Sequence, residues 1–251
     1  MLLAIDAGNT SITTGIFDRD VLVKKAWFDS DKNGSAEHYT NLFEKEFSKD
    51  AISGCIISSV VKELTPVLQQ SVKSVFNINA VVLDASLKTE LKIDVKNPHS
   101  VGADRIANSY AALKKYQLPV IVIDMGTATT FDIVDKNGAF SGGIIMPGIG
   151  LQLKVLGSNT SLLPELNAEK VDKAIGTDTK TCILSGVIKG HAHAIEGLLR
   201  DCEKELGTRP TIIGTGGYIK LVNSCLEESL FDNIEPDLTL NGLRMIYENC
   251  I

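Results

Sequence analysis

The chain has few cysteines, no surplus of basic residues and no long apolar run, and each shortage removes a class of function. The five cysteines, Cys55, Cys182, Cys202, Cys225 and Cys250, lack the paired spacing of a metal or redox site. They read as free thiols in a reducing compartment rather than as a disulfide framework. Lys and Arg number 25 against 31 Asp and Glu, a formal net charge of -6. That leaves no electrostatic footprint for nucleic acid, a partner that normally needs a clustered basic face, so an anionic ligand has to be held locally, by loops and cations. No stretch approaches the roughly 20 apolar residues of a membrane span, and the amino terminus runs straight into Leu2-Leu3-Ala4-Ile5-Asp6 without a basic leader. The expectation is a cytoplasmic protein with no nucleic acid and no membrane among its partners. No low-complexity linker divides the 251 residues, which suffice for two ordinary domains.

What the chain does contain is one phrase written twice. Ile5-Asp6-Ala7-Gly8-Asn9-Thr10 returns as Ile123-Asp124-Met125-Gly126-Thr127-Ala128-Thr129, each copy after an apolar run and before a second β-rich run that ends in an aspartate, Asp18 or Asp135. The unit is strand, acidic tight turn, strand. Glycine two residues after the aspartate removes the Cβ that would keep backbone N–H groups from phosphate oxygens. Asn9, Thr10, Thr127 and Thr129 add donors at the same rim. One copy alone is as consistent with an ordinary hairpin turn as with a phosphate site. Two copies facing one another would grip a nucleoside triphosphate from both sides, which is a phosphotransferase pattern.

Periodicity extends this into an architecture. Strands are predicted at 13–17, 21–28, 55–60 and 80–83, with helices from a Ser35 cap through Phe47, over 65–76, and over 102–116. The second half repeats the order, with strands at 120–124, 129–135, 139–145 and 211–213. Its helices are predicted near 151–156, over a long stretch 179–206, and in a final amphipathic segment around Leu240, Leu243, Ile246 and Tyr247. The boundary falls at Pro119, giving domains 1–117 and 118–251 with a cleft between them.

Three further constellations bear on chemistry. Gly214-Thr215-Gly216-Gly217, after an apolar strand and before a helix, lets a flat ring approach the backbone and suits an adenine or ribose contact, although a tight βα turn explains it equally. Gly102-Ala103-Asp104-Arg105 sets a carboxylate beside a guanidinium at a helix start, behind the break Asn97-Pro98. Such a pair is commonly a surface ion pair. In a kinase, however, one carboxylate must accept the acceptor hydroxyl's proton, and Asp104 suits that role with Arg105 as an anion clamp. His191 and His193, two apart on a helix, do not share a face and read as packing or solvated residues rather than as metal ligands.

These residues together closely resemble type III pantothenate kinases, of the acetate and sugar kinase, heat-shock chaperone and actin superfamily. The resemblance runs through Asp6 to Thr10, Asn97-Pro98, Gly102 to Arg105, Asp124 to Thr130, Gly142-Gly143, Met146-Pro147-Gly148, Gly176 to Thr179, Thr215-Gly216-Gly217, Pro236 to Thr239 and Gly242-Leu243-Arg244. It implies an α/β fold of two tandem ribonuclease-H-like domains with a nucleotide cleft between them. It implies ATP-dependent phosphorylation of pantothenate, the first step toward coenzyme A, by a cytoplasmic homodimer that uses a divalent cation such as magnesium and a monovalent one, potassium or ammonium. By the same resemblance Asp6, Ala7, Gly8, Asn9, Thr10, Ser11, Ile12 and Thr13 form the first ATP phosphate loop, Thr127 contacts ATP and Asp124 binds the monovalent cation. Gly102, Ala103, Asp104 and Arg105 hold pantothenate, with Asp104 as proton acceptor, and Thr179 adds a substrate contact. The chain departs from the family at Val95, where many members carry tyrosine, and at Asp178, where many carry asparagine. Rival readings are a sugar or acetate acceptor, or a kinase-like fold that only senses nucleotide.

Overall fold

Leu2–Ala7 (β1) is an almost unbroken apolar run, as a strand buried on both faces has to be, and it lies at the centre of its sheet. It pairs antiparallel with β2 (Ser11–Asp18), which turns through Arg19 at a φ of 56° into β3 (Val21–Asp29). On its other side it pairs parallel with β4 (Gly54–Ser59), which pairs with β5 (Val81–Val82). The order is β3-β2-β1-β4-β5. Between β3 and β4 lies α1 (Ala36–Phe47), started by the Ser35 hydroxyl, which accepts the His38 N–H at 3.2 Å. Tyr39, Phe43 and Phe47 recur along one face of α1 and are buried, each contributing about 1.5–3 kcal/mol of apolar burial. α2 (Leu64–Phe76) follows β4 and stops at Asn77, whose left-handed φ of 55° ends the helix. A two-residue strand β6 (Lys92–Ile93), a 3₁₀ turn (Pro98–Ser100) and α3 (Ala103–Lys115) follow.

The computed structural model describes residues 1–47, 50–226 and 228–251, in two compact units: Met1–Lys114 with Asp237–Ile251, and Lys115–Pro236. The second unit repeats the wiring of the first. β7 (Val120–Met125), β8 (Ala128–Val134) and β9 (Ala139–Pro147) form the antiparallel meander. β10 (Thr211–Thr215) lies parallel to β7, and β11 (Asn233–Ile234) parallel to β10. Its helices are α4 (Ile149–Ser158), α5 (Thr179–Leu184), α6 (Gly190–Leu206) and α7 (Ile219–Asn223). A π turn, Ser185–Lys189, joins α5 to α6, so the stretch expected as one long α-helix carries an extra residue in its middle. Among the described residues no helix is long and apolar enough to cross a membrane.

One expectation requires correction. Residues 118–251 are expected to form the second domain, but the last helix, α8 (Leu238–Cys250), belongs to the first unit. Its buried Leu238, Leu240, Leu243 and Ile246 pack against β1, β2 and β4. Gly242 lets its backbone meet that of α3, because a Cβ there would strike the Ala107 carbonyl oxygen. The Thr239 hydroxyl donates to Asn108 Oδ1 at 2.8 Å, and Lys25 pairs with Asp237. Amphipathic spacing shows that a helix has an apolar face; it does not say which sheet receives it.

Candidate active site

In the first unit, Asp6 ends β1 with Thr13 opposite it on β2 and Ser58 opposite it on β4. The buried Ser58 hydroxyl donates to Asp6 Oδ1 at 2.8 Å. The turn beyond is closed by the Gly8 N–H donating to the Ser11 carbonyl at 3.0 Å, and a Cβ on Gly8 would sit 3.2 Å from that same oxygen. Asn9, Thr10 and Ser11 are exposed at the tip, whereas Ala7 and Ile12 are buried beneath it and Thr13 is half-buried. Ser58 was not singled out in the sequence, because its place beside Asp6 follows from a parallel register that no local spacing records.

The structure brings the second carboxylate to this same edge of the first unit. The Val60 N–H donates to the Ala7 carbonyl at 3.1 Å, and Val60 Cγ1 lies 3.5 Å from where a Gly102 Cβ would stand. That Cβ would also strike Asp104 Oδ1, so glycine at 102 is what leaves the carboxylate room. Asp104 sits in the first turn of α3 and accepts the Arg105 backbone N–H at 2.8 Å. Burial pushes its carboxyl above the ordinary carboxylate range, outweighing the backbone N–H of Arg105 and its guanidinium charge, which both act in the opposite direction. A carboxylate made more basic by desolvation has the chemistry to accept a proton. The approach to it is ordered by the 3₁₀ turn, in which the Ser100 N–H and hydroxyl both donate to the Asn97 carbonyl, at 3.1 and 2.7 Å. His99 and Val95 lie on this approach, the first exposed and the second half-buried.

In the second unit, Asp124 holds the matching place at the end of β7, with Thr130 opposite on β8 and Thr215 opposite on β10. The Gly126 N–H donates to the Ala128 carbonyl at 3.0 Å, and Thr127 is exposed at the tip. Two glycines from distant segments press on this turn. Gly148, at the start of α4, donates its N–H to the Thr127 carbonyl at 3.0 Å, and any side chain there would strike the Gly126 and Thr127 oxygens. Gly216, at a φ of 91°, lies so close that a Cβ would stand 2.5 Å from Met125 N and 2.6 Å from Asp124 Oδ1. The Tyr218 N–H then donates to the Met125 carbonyl at 3.2 Å. The glycine cluster therefore serves as a seat for the Asp124 turn, a contact between segments far apart in the chain.

Thr129 does not stand at the rim with the other hydroxyls. It is buried on β8, and its Oγ1 lies 2.9 Å from His191 Nε2. His191 is buried too, which holds its imidazole below the usual histidine range, whereas His193 is exposed beside Glu196. Thr179 is exposed at the first position of α5. Its neighbour Asp178 caps that helix, accepting the Thr181 N–H at 2.8 Å, while the Thr181 hydroxyl accepts the Asp178 N–H at 3.2 Å. Aspartate and asparagine are equally good N-caps, so the departure at 178 leaves the cap intact. Among the described residues no group of three or more His, Cys, Asp or Glu side chains could by itself hold a metal ion.

Two repeats, each a three-stranded meander extended by parallel strands, with an acidic glycine turn at the end of the central strand, define a protein of two tandem ribonuclease-H-like domains. The ethanolamine utilization protein EutJ from Carboxydothermus hydrogenoformans shares this fold, with a TM-score of 0.58 at 14% identity over 97% of this chain and 88% of that one. The chain belongs to the type III pantothenate kinase family, whose model matches residues 2–201. It is 39% identical to the type III pantothenate kinase of Roseiflexus castenholzii over 99% of this chain and 98% of that protein. To the type III pantothenate kinase of Agathobacter rectalis it is 36% identical, over 98% and 96%.

Proposed function

We propose that the protein phosphorylates pantothenate on its primary hydroxyl with ATP, the first step of coenzyme A biosynthesis. The observation that carries this reading is Asp104, a carboxylate of raised basicity linked through Gly102 and Val60 to Ala7 of the Asp6–Thr13 segment, in a chain of this family. In the proposed mechanism the Asp6–Thr13 turn and Thr127 hold ATP, and Gly102 to Arg105 hold the acceptor, with a further contact from Thr179. Asp104 accepts the hydroxyl proton while Arg105 faces the acceptor's carboxylate or the transferring group. Most of the acceleration comes from this alignment and from fixed charge. A magnesium ion carried in with ATP would be held by one or two carboxylates and water. Bound in this way it would offset phosphate charge, and Asp6, fixed by Ser58, would orient its water. The reading extends to a cytoplasmic homodimer.

ATP turnover in a coupled assay should require pantothenate, with sugars and acetate inert as acceptors. Turnover that is independent of pantothenate, or faster with another acceptor, would replace this reading with a different kinase.

We further propose a monovalent cation at Asp124. A half-buried carboxylate close to phosphate suffers desolvation and repulsion unless a cation lies between them. The Asp124 carboxylate supplies the hard oxygen donor that such an ion takes. At fixed magnesium and ionic strength, potassium and ammonium should activate, sodium and a bulky organic cation should not, and Asp124→Asn should abolish the difference. Equal rates in all four salts would remove the cation from the scheme.

A further inference from the structure

The mechanism above uses neither of the buried polar side chains that lie behind the Thr127 turn. His191, 2% exposed, has both ring nitrogens occupied: Nε2 faces Thr129 Oγ1 at 2.9 Å and Nδ1 faces Gln152 Nε2 at 2.9 Å. The Gln152 amide nitrogen also donates to the Pro147 carbonyl at 2.9 Å. That second bond decides the rest, because the opposite amide orientation would set two oxygens face to face. Gln152 therefore donates to Nδ1, the imidazole carries its proton on Nε2, and Nε2 donates to the Thr129 hydroxyl. A second ring proton would point at the Gln152 donor, so the network is complete only with neutral histidine.

The two ends of this network fall on the two strands that support the turn. Thr129 lies on β8, opposite Met125, and Pro147 lies on β9, opposite Ala128. Thr129 is two residues from the hairpin tip at Thr127, and Pro147 pairs with the residue next to that tip. Gly148, next to Pro147, binds the Thr127 carbonyl. The π turn ends at Lys189, one residue before α6 and two before His191.

We infer that His191, with Gln152, is a positioning residue that fixes the Asp124–Thr127 turn for ATP by tying Thr129 and Pro147 together behind it. The inference rests on the reading that this turn contacts ATP. His191→Leu and Thr129→Val should each raise KM for ATP by about three- to tenfold, the consequence of one lost buried hydrogen bond. KM for pantothenate should move less than about twofold. The double variant should be no worse than the worse single one, because both break the same bond. His191→Gln, whose amide reaches about where Nε2 stood, should recover most of the loss, and His193→Gln, exposed on the same helix, should match the wild type. A lower melting temperature with unchanged KM for ATP in both Thr129→Val and His191→Leu would reduce the network to packing and overturn the inference. If His191→Leu does not fold, Thr129→Val, nearly isosteric, carries the test alone. Thr127→Ala separates the two levels: unchanged KM for ATP there rejects the turn as an ATP contact. A raised KM there with none in Thr129→Val rejects only the role of His191.

Discussion

Asp104→Asn should lower kcat by about 10²- to 10⁴-fold while ATP still binds, the range expected when a positioned general base is removed. Asparagine keeps the size of the side chain and can still accept the Arg105 N–H that now holds Oδ1 at 2.8 Å, so the start of α3 should survive. What disappears is the negative lone pair available to the acceptor hydroxyl. The pH dependence supplies a second readout. Burial raises the Asp104 carboxyl, and the base acts only when ionised. The acid limb of kcat/KM should therefore lie above the ordinary aspartate value of about 3.9, with activity rising as pH increases through it. Asp104→Asn should lose that limb along with the rate. Near-normal turnover in the variant would disqualify Asp104 as base, and a limb that persists in the variant would belong to another group.

The second large effect is expected from a residue with no functional group. Gly216→Ala meets two obstacles together: a backbone at a φ of 91° and a methyl that would stand 2.5 Å from Met125 N and 2.6 Å from Asp124 Oδ1. Backbone strain of this kind and overpacking each cost on the order of 1–3 kcal/mol. The neighbour that must give way is the main chain of the Asp124 turn, not the end of a flexible side chain. The expected outcome is a rise of at least about tenfold in KM for ATP together with a lowered melting temperature, read by steady-state kinetics and a thermal melt. Gly217→Ala provides the control for stability, since a Cβ there meets nothing within 4 Å. A Gly216→Ala protein with wild-type kinetics and melting would mean that the turn tolerates displacement and is not the rigid seat described above.

The doubled Asp-x-Gly phrase was legible because it is local: a strand, its terminal aspartate and the following glycine are neighbours in sequence, and both turns formed where the phrase placed them. The meanders were legible for the same reason. Gly102 to Arg105 could be recognised at a helix start, yet its approach to the Asp6 turn through Val60 depends on how β1, β4 and α3 assemble. Glycine at 216 read as space for a ligand ring; in the fold its bare α-carbon faces Asp124 and Met125. Thr129 reads as a rim hydroxyl in the sequence, because nothing in the strand pattern shows that its side chain meets a histidine 62 positions away. The place of the final helix is not legible locally, because its partner sheet is the one most distant in sequence.

The π turn between α5 and α6 makes chain length itself a geometric variable. Its last bond spans five residues, from Gly190 N–H to the Ser185 carbonyl, so the helix holds one residue more than an α ladder would use. Gly186 within it meets nothing that a Cβ would touch. Deleting that residue would let the ladder close as regular α-helix. The two flanking helices are each anchored in one core, α5 by the buried Ile183 and Leu184 and α6 by Ile195 and Leu199, and losing one residue between them would turn one relative to the other through about 100° and shift it about 1.5 Å along the axis. A single gap in this helix is thus equivalent to a rotation of Thr179 relative to His191, and the count of residues between the two sets their relative direction.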